Sequence, residues 1–114
     1  MKHSMNLQQK YFDFIKDGTK RIELRLNDEK RKQIQLGDSI EFSSPRNESL
    51  EATVVGLLYY ETFEALFEDY DISVLADVTM TKKELMNALS EFYTPEKQAQ
   101  YGVVGIRIKL RKDA

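Results

Sequence analysis

Apolar and charged residues alternate between Arg21 and Leu26, which predicts a β-strand with one buried face and one polar face. The apolar row comprises Ile22, Leu24 and Leu26, and the charged row comprises Arg21, Glu23 and Arg25. Because charged side chains are costly to bury, we expect the charged row to face a wet cleft. Lys20 directly precedes the strand, where its side chain can lean over this row.

The segment before this strand has helical periodicity. Leu7, Tyr11, Phe14 and Ile15 recur at helical spacing, which predicts an amphipathic helix from about residue 6 to residue 17. Asn6 is a plausible N-cap, and Gly18 is placed for a left-handed C-terminal cap. The short connection into the strand favours a pocket where helix and strand meet. The first five residues, including His3, are expected to be frayed.

Strand patterns recur further along the chain. Gly37-Asp38 is a turn signal before a predicted strand at residues 39–42, and residues 50–60 form the longest β-like run. Gly56 predicts a bulge or bend in that run, and its last four residues, 57–60, suit burial on both sides. Residues 103–110 read as a closing strand, with Gly105 as another bend. Ile34 and Leu36 are expected to anchor the core.

Helix signals occupy the rest of the sequence. Thr62 is a predicted N-cap for a helix carrying Phe63, Leu66, Phe67 and Tyr70. Thr81-x-x-Glu84 is a capping box for a helix running to about residue 93. Pro95 begins a short helical turn, and Asn27 is a candidate cap for another. Residues 71–80 receive no assignment. These elements predict one α+β domain over residues 1–114, a small mixed β-barrel with peripheral short helices.

Three motifs together resemble the ASCH domain family, a branch of the PUA-like β-barrels. They are Gly18-x-Lys20-x-x-Glu23-x-Arg25, Gly37-Asp38-x-Ile40-x-Phe42 and Tyr101-Gly102-Val103-Val104-Gly105-Ile106. The resemblance spans about residues 7–110. It implies a PUA-like fold, and a partner that is RNA or a nucleotide-like small molecule.

Composition narrows the class of protein. The chain has 114 residues, no cysteine and a net charge of −2, which fits one globular domain and argues against indiscriminate coating of nucleic acid. No apolar run is long enough to cross a membrane, and the first residues lack a signal-peptide core, so we expect a cytoplasmic protein. Charge is nevertheless uneven: residues 16–32 hold seven basic and four acidic residues, whereas residues 61–77 hold six acidic residues and no basic ones.

The candidate chemistry centres on Lys20, Glu23 and Arg25. With one histidine and no cysteine, we expect neither a metal site nor a Ser-His-Asp triad, and the scattered glycines predict no phosphate loop and no cofactor. One interpretation of the three charges is a solvated strand face. The other is a cleft in which Lys20 and Arg25 bind phosphate or carbonyl oxygens while Glu23 accepts hydrogen bonds. The pKa of Lys20 has an undecided direction, because Arg25 and Glu23 act on it in opposite senses.

The predicted ligand-binding residues are Lys20, Arg21, Glu23, Arg25, Tyr93 and Tyr101, with residues 30–32 as further backbone contacts. An alternative implied by the resemblance is an amidohydrolase acting on N4-acylated cytidine or related nucleosides, with Lys20 and Glu23 as its catalytic residues. Relatives of that kind use a threonine nucleophile three positions after the motif lysine, and here that position is Glu23. A third hypothesis is a protein-interaction surface formed by acidic residues 61–77.

Overall fold

The computed structural model describes residues 1–76 and 79–111. Within this part of the chain there are five β-strands, five α-helices and one 3-10 turn. In chain order they are β1 (Lys2–Asn6), α1 (Gln9–Lys16), β2 (Ile22–Leu26), the 3-10 turn (Arg31–Gln33), β3 (Ser39–Ser43), β4 (Ser49–Tyr60), α2 (Phe63–Asp69), α3 (Ile72–Leu75), α4 (Lys82–Ser90), α5 (Pro95–Tyr101) and β5 (Val103–Leu110). The predicted α+β class is confirmed.

The strands form a single curled sheet, a half-barrel, in the order β1-β3-β4-β5-β2. β1 runs parallel to β3, and the other neighbouring pairs are antiparallel. The two edge strands are therefore β1 and β2, which α1 connects along the chain. Because α1 runs from one edge to the other, it covers the open side of the half-barrel.

Each face of the sheet carries an apolar cluster. The inner cluster includes Phe12 and Ile15 of α1, together with Ile40, Phe42 and Ile106. The outer cluster packs helices α2, α3 and α4 against β2, and it contains all three residues of the predicted apolar row, Ile22, Leu24 and Leu26. The cross-strand register puts Glu23 opposite Ile106 and Arg25 opposite Val104, so these two charged residues lie on the inner face.

Two glycines behave differently from one another. At Gly56 the β4–β5 register shifts, which confirms the predicted bulge, and the stem of Arg107 lies so close that an added Cβ would be 2.9 Å from its Cδ. Gly105 keeps its register with both neighbouring strands, so no bulge lies there, and the bend predicted at this position stays a prediction. A Cβ at Gly105 would lie 3.0 Å from Leu66 Cδ1, which means that glycine allows close packing at this position.

The N-terminal prediction is wrong. Residues 2–6 form β1 instead of a frayed end, Asn6 ends that strand, and Gln8 occupies the N-cap of α1 without a side-chain hydrogen bond. His3 is held by a contact of 2.8 Å between its Nε2 and Asp38 Oδ2. The partner strand β3 lies far along the sequence, and no alternation in the first residues announces a parallel pairing.

Several local predictions are confirmed and others fail. Thr62, Thr81 and Thr94 each cap a helix through the side-chain oxygen, and the Thr81–Glu84 capping box is complete, although α4 ends at Ser90. Ile34 is buried, but Leu36 is 66% exposed and Tyr59 is 57% exposed, because both side chains point away from the two clusters. Asp28, not Asn27, caps its turn by accepting a hydrogen bond from Arg31 N.

Candidate ligand-binding cleft at the free edge of β2

A cleft of about 310 Å³ runs along the outer edge of β2. On one side it is bounded by the end of β1 and by Tyr11 of α1. On the other side it is bounded by Leu89 of α4 and by Phe92 and Tyr93, which follow that helix. Lys20, Glu23, Leu24 and Arg25 form its floor. The predicted pocket at the junction of helix and strand therefore exists, with α4 as a further wall.

Lys20 is almost completely buried, at 3% exposure. Its Nζ donates to the carbonyl oxygens of Ile22 at 2.5 Å and Leu75 at 2.7 Å, and it lies 3.5 Å from Glu23 Oε1. The same ammonium is 5.9 Å from the centre of the Tyr11 ring. Burial lowers the pKa of Lys20 from its ordinary value, although Glu23 acts in the opposite direction. The direction left open by the sequence is therefore downward.

Glu23 is equally buried, and both of its carboxylate oxygens accept hydrogen bonds. Its Oε1 accepts from the backbone N–H of Leu24 at 3.1 Å, and its Oε2 accepts from Arg25 Nε at 3.1 Å and Nη2 at 2.9 Å. Burial alone would raise the pKa of this carboxyl, but Arg25 and Lys20 outweigh it and keep the pKa below its usual range. Glu23 is thus a carboxylate enclosed between two cations.

Arg25 is the member of the cluster that faces the cleft, with 15% of its side chain exposed. Its Nη2 also donates to the carbonyl oxygen of Asn6 at 3.0 Å, which ties the edge strand β2 to the end of β1. Burial opposes its charge, but Glu23 raises the pKa of Arg25 above its ordinary value. Within residues 1–76 and 79–111, Nη1 has no hydrogen-bond partner, so it remains available to a ligand.

Aromatic side chains form much of the cleft wall. Tyr93 packs on Phe63 with ring centres 5.6 Å apart, whereas Phe92 is 55% exposed. Burial raises the pKa values of the Tyr11 and Tyr93 hydroxyls, so both are neutral donors near pH 7. The arrangement offers flat apolar surfaces above a fixed guanidinium, a combination that suits planar, polar ligands.

Of the predicted ligand-binding residues, the fold brings four together in this cleft and leaves two outside it. Lys20, Glu23, Arg25 and Tyr93 line it. Arg21 is exposed beyond its boundary, and Tyr101 lines a separate shallow concavity beside α5. The expected wet charged row is wrong for Glu23, because α1 and α4 cover the strand edge and the carboxylate is screened by cations instead of water.

The wall residues that were missed as site candidates include Tyr11, Leu89 and Phe92. Tyr11 and Leu89 belong to apolar helical stripes, so their spacing indicated core packing, and the cleft forms where those stripes end. Of the basic residues 30–32, Lys30 and Lys32 are exposed, and Arg31 Nη1 lies 3.4 Å from Asp28 Oδ2.

Two wider expectations concern the whole chain. In the described residues, no helix is long and apolar enough to span a membrane. Across that same portion, no three His, Asp or Glu side chains converge as metal ligands would. In the acidic segment, Glu64, Glu68 and Asp69 lie on or next to the exposed side of α2, and Asp77 falls outside the described residues.

The curled five-stranded sheet, the short peripheral helices and the ion-pair cluster at one sheet edge define a PUA-like half-barrel. The ASCH domain family model matches residues 5–111, and the chain belongs to this family. The resemblance proposed from the three sequence motifs is therefore confirmed.

Solved structures agree with this assignment. The hypothetical protein PH0355 has a crystal structure with a TM-score of 0.87 and 37% identity, covering 97% of this chain and 100% of that one. The solution structure of PF0455 from Pyrococcus furiosus has a TM-score of 0.78 and 32% identity, covering 99% and 100%.

A more distant likeness is a serine-to-alanine mutant of an ASCH protein from Zymomonas mobilis, with a TM-score of 0.62, 12% identity and coverage of 96% and 66%. At that identity the likeness shows the fold alone. No curated protein matches this chain.

Proposed function

We propose that the protein binds RNA or a nucleotide through the cleft at the edge of β2. The observation that carries the proposal is the Arg25 guanidinium, which Glu23 and the Asn6 carbonyl hold in one orientation with Nη1 open to the cleft. A fixed guanidinium donates to carbonyl and phosphate oxygens with little loss of conformational entropy. Nucleobases carry such oxygens on a flat ring, which the aromatic walls match.

Size and charge support the same class of ligand. The cleft volume of about 310 Å³ lies at the lower end of the range of about 300–1,000 Å³ that is typical of small-molecule sites. Lys20 and Arg25 against Glu23 leave one positive charge, while Glu91 stands at the rim. The cleft therefore suits one nucleoside unit, and additional nucleotides of an RNA would have to bind outside it.

The basic turn at residues 30–32 is the proposed contact for such additional phosphates. Arg31 and Asp28 act electrostatically on the Tyr93 hydroxyl, so the turn lies beside the cleft wall. Arg21 lies outside the cleft and is retained as a second backbone contact. Contacts of this kind would make binding weaken with rising salt concentration.

The test uses two aromatic residues of similar exposure. Phe92 lines the cleft and Tyr59 does not, yet both are more than half exposed, so neither substitution should disturb the core. We expect the four ribonucleoside monophosphates and short single-stranded RNAs, titrated at low salt, to include at least one ligand. Phe92→Ala should weaken the affinity for that ligand about ten-fold, because a stacking surface is lost. Tyr59→Ala should change the affinity by no more than about two-fold. Absence of binding by every ligand, or equal effects of both variants, would refute the proposal.

The amidohydrolase alternative receives one supporting observation, the lowered pKa of Lys20 at the cleft floor. Against it, a general base needs a free lone pair facing the substrate. The Lys20 ammonium donates to two carbonyl oxygens, and both carboxylate oxygens of Glu23 already accept hydrogen bonds from the protein. We therefore rank this activity second. Turnover of N4-acetylcytidine that Lys20→Ala abolishes would favour it, and an inactive wild-type protein would exclude that substrate.

Two other expectations remain predictions. A cytoplasmic location is testable by fractionation of the source cells. The acidic surface around α2 is the candidate for a protein partner, testable by pull-down with Glu64→Gln and Glu68→Gln variants.

A further inference from the structure

The direction of the backbone groups along β2 follows from its pairing with β5. Arg21 O accepts from Ile108 N, and Asn27 N donates to Gly102 O, so Glu23 and Arg25 between them direct their backbone groups toward β5. In an antiparallel pair, alternate residues direct both N–H and C=O to opposite sides. Ile22, Leu24 and Leu26 therefore direct theirs toward the free edge, which is the edge that the cleft follows.

The first half of this edge is already occupied by side chains of the same segment. Lys20 Nζ donates to the Ile22 carbonyl, and Glu23 Oε1 accepts from the Leu24 N–H. The charged pair thus satisfies a backbone acceptor and a backbone donor that would otherwise be left unpaired beneath α1 and α4. Lys20 and Glu23 act here as internal partners of the strand.

The next two groups along the edge are open. In the portion of the chain that the structure describes, the Leu24 carbonyl accepts no hydrogen bond from a loop, helix or side chain, and the Leu26 N–H donates none to them. Their direction excludes a bond to β5. Leu24 lines the cleft beside Arg25. The Leu24 carbonyl therefore lies at the cleft floor, and the Leu26 N–H follows it two residues further along the same edge, pointing the same way.

We propose that these two backbone groups read the hydrogen-bonding edge of a nucleobase that carries an N–H donor next to an acceptor. The Leu24 carbonyl accepts from the base N–H, the Leu26 N–H donates to the adjacent base nitrogen or oxygen, and Arg25 Nη1 donates to a further oxygen of the same ligand. This inference rests on the proposed function and deepens it, because it identifies the part of the ligand that is recognised and the protein atoms that recognise it.

Addition of a peptide strand is the other use of a free sheet edge. It fits poorly here, because a continuous ladder would also need the Ile22 carbonyl and the Leu24 N–H, which Lys20 and Glu23 occupy. A single acceptor and donor remain, and that matches one base edge better than an extended chain.

The test compares each nucleoside with a derivative whose edge N–H is replaced by methyl. The pairs are cytidine with N4,N4-dimethylcytidine, uridine with 3-methyluridine, adenosine with N6,N6-dimethyladenosine and guanosine with 1-methylguanosine. For the nucleoside that binds best, we expect edge methylation to weaken binding about ten-fold or more, since it leaves the Leu24 carbonyl unpaired in a covered site. A methyl group on a ring carbon away from that edge, as in 5-methyluridine or 5-methylcytidine, is the matched control.

A second measurement does not depend on any substitution in the protein. In amide NMR spectra, ligand binding should move the Leu26 N–H downfield and slow its hydrogen exchange. The Arg25 N–H, which points toward β5, should change little. Equal affinity for edge-methylated nucleosides, an unmoved Leu26 amide, or binding confined to extended peptides would overturn the inference while leaving other modes of nucleotide binding open. Failure of every nucleoside and nucleotide to bind would overturn the proposed function itself.

Discussion

The two edge strands of this sheet, β1 and β2, meet the same physical problem in different ways. An edge strand has unpaired backbone groups that invite pairing with another chain. β1 is short and exposed to water, and its Lys2 forms a solvent-exposed ion pair of 3.4 Å with Glu41. β2 lies beneath helices, and there Lys20 and Glu23 satisfy the backbone groups from within. A charged side chain on a solvent-exposed edge costs little free energy. On a covered edge, each charged group needs its own hydrogen-bonding or ion-pair partner.

The pairing of Lys20 and Glu23 with the covered edge of β2 also explains the position of the cleft. Lys20 and Glu23 satisfy one carbonyl and one N–H of β2. Neither side chain pairs with the next group along the strand, the Leu24 carbonyl, which lies at the bottom of the cleft. On β1 an unpaired backbone group is exposed to water, so a hydrogen bond there would give little selectivity between ligands. On β2 the same kind of group lies in a confined, partly apolar space, where a hydrogen bond discriminates between ligands.

The largest expected difference between the edges comes from removing the lysine of each. Lys20→Met leaves the Ile22 and Leu75 carbonyls without donors in a buried site, which should cost about 3 kcal/mol or more of unfolding free energy. Lys2→Met removes an exposed ion pair and should change stability little. Urea denaturation of both variants measures this contrast. Similar losses in the two proteins would show that β2 has no special dependence on its lysine.

A smaller loss of stability is expected at Arg25, which links β2 to the end of β1. Arg25→Gln removes the bonds to Glu23 and Asn6 and should cost about 1–3 kcal/mol. In the wild type the pKa of Glu23 is below its ordinary value of 4.5, so its stabilising contribution is present above that pH and is lost as the pH falls.

Without Arg25, burial raises the pKa of Glu23. The loss of unfolding free energy caused by Arg25→Gln should therefore be larger at pH 7 than at pH 3. The exposed Arg21→Gln variant is the control, and urea denaturation at both pH values provides the measurement. A deficit that does not depend on pH would mean that Arg25 does not determine the charge state of Glu23.

The smallest effect is expected at the β1 edge. Asp38 contacts His3 Nε2 and the terminal ammonium and accepts from Gln35 N, and these hydrogen bonds lower its pKa to about 2. A depressed carboxyl pKa contributes stability above about pH 4 that is lost as the pH falls toward 2. The melting temperature of Asp38→Asn should therefore be lower than that of the wild type at neutral pH and approach it in acid. Thermal unfolding across this range, with Glu68→Gln as control, would detect the convergence, and parallel curves would contradict it.

Sequence reasoning reached most of the architecture because local signals determine it. The alternation at Ile22, Leu24 and Leu26, the threonine caps and the Gly56 bulge each depend on neighbouring residues, and each is confirmed. β1 was missed because its partner strand is distant in sequence and its own pattern is polar. The close packing at Gly105 could not be predicted, because its contact, Leu66, lies in a different element.

The cleft was predictable only in outline. The spacing of Lys20, Glu23 and Arg25 indicated a shared site, but it could not show that the first two bond mainly to the protein's own backbone. Lys20 also bonds to the Leu75 carbonyl of α3, and the pair lies beneath α1 and α4, so its burial is a tertiary event. Tyr101 lies outside this cleft for a similar reason, since the position of α5 decides which concavity it lines.

The hydrogen bonds from Lys20 to Ile22 and from Glu23 to Leu24 join residues that are two positions apart or fewer. Unlike the bond from Lys20 to Leu75, these two contacts need no distant part of the chain, so we expect them to form whenever this short segment is extended. In a nascent or partly unfolded molecule, these contacts should hinder intermolecular strand pairing at β2 before any helix has docked. We expect aggregation from such intermediates to begin elsewhere, and the protein to tolerate slow helix docking without β2 becoming a nucleus for assembly.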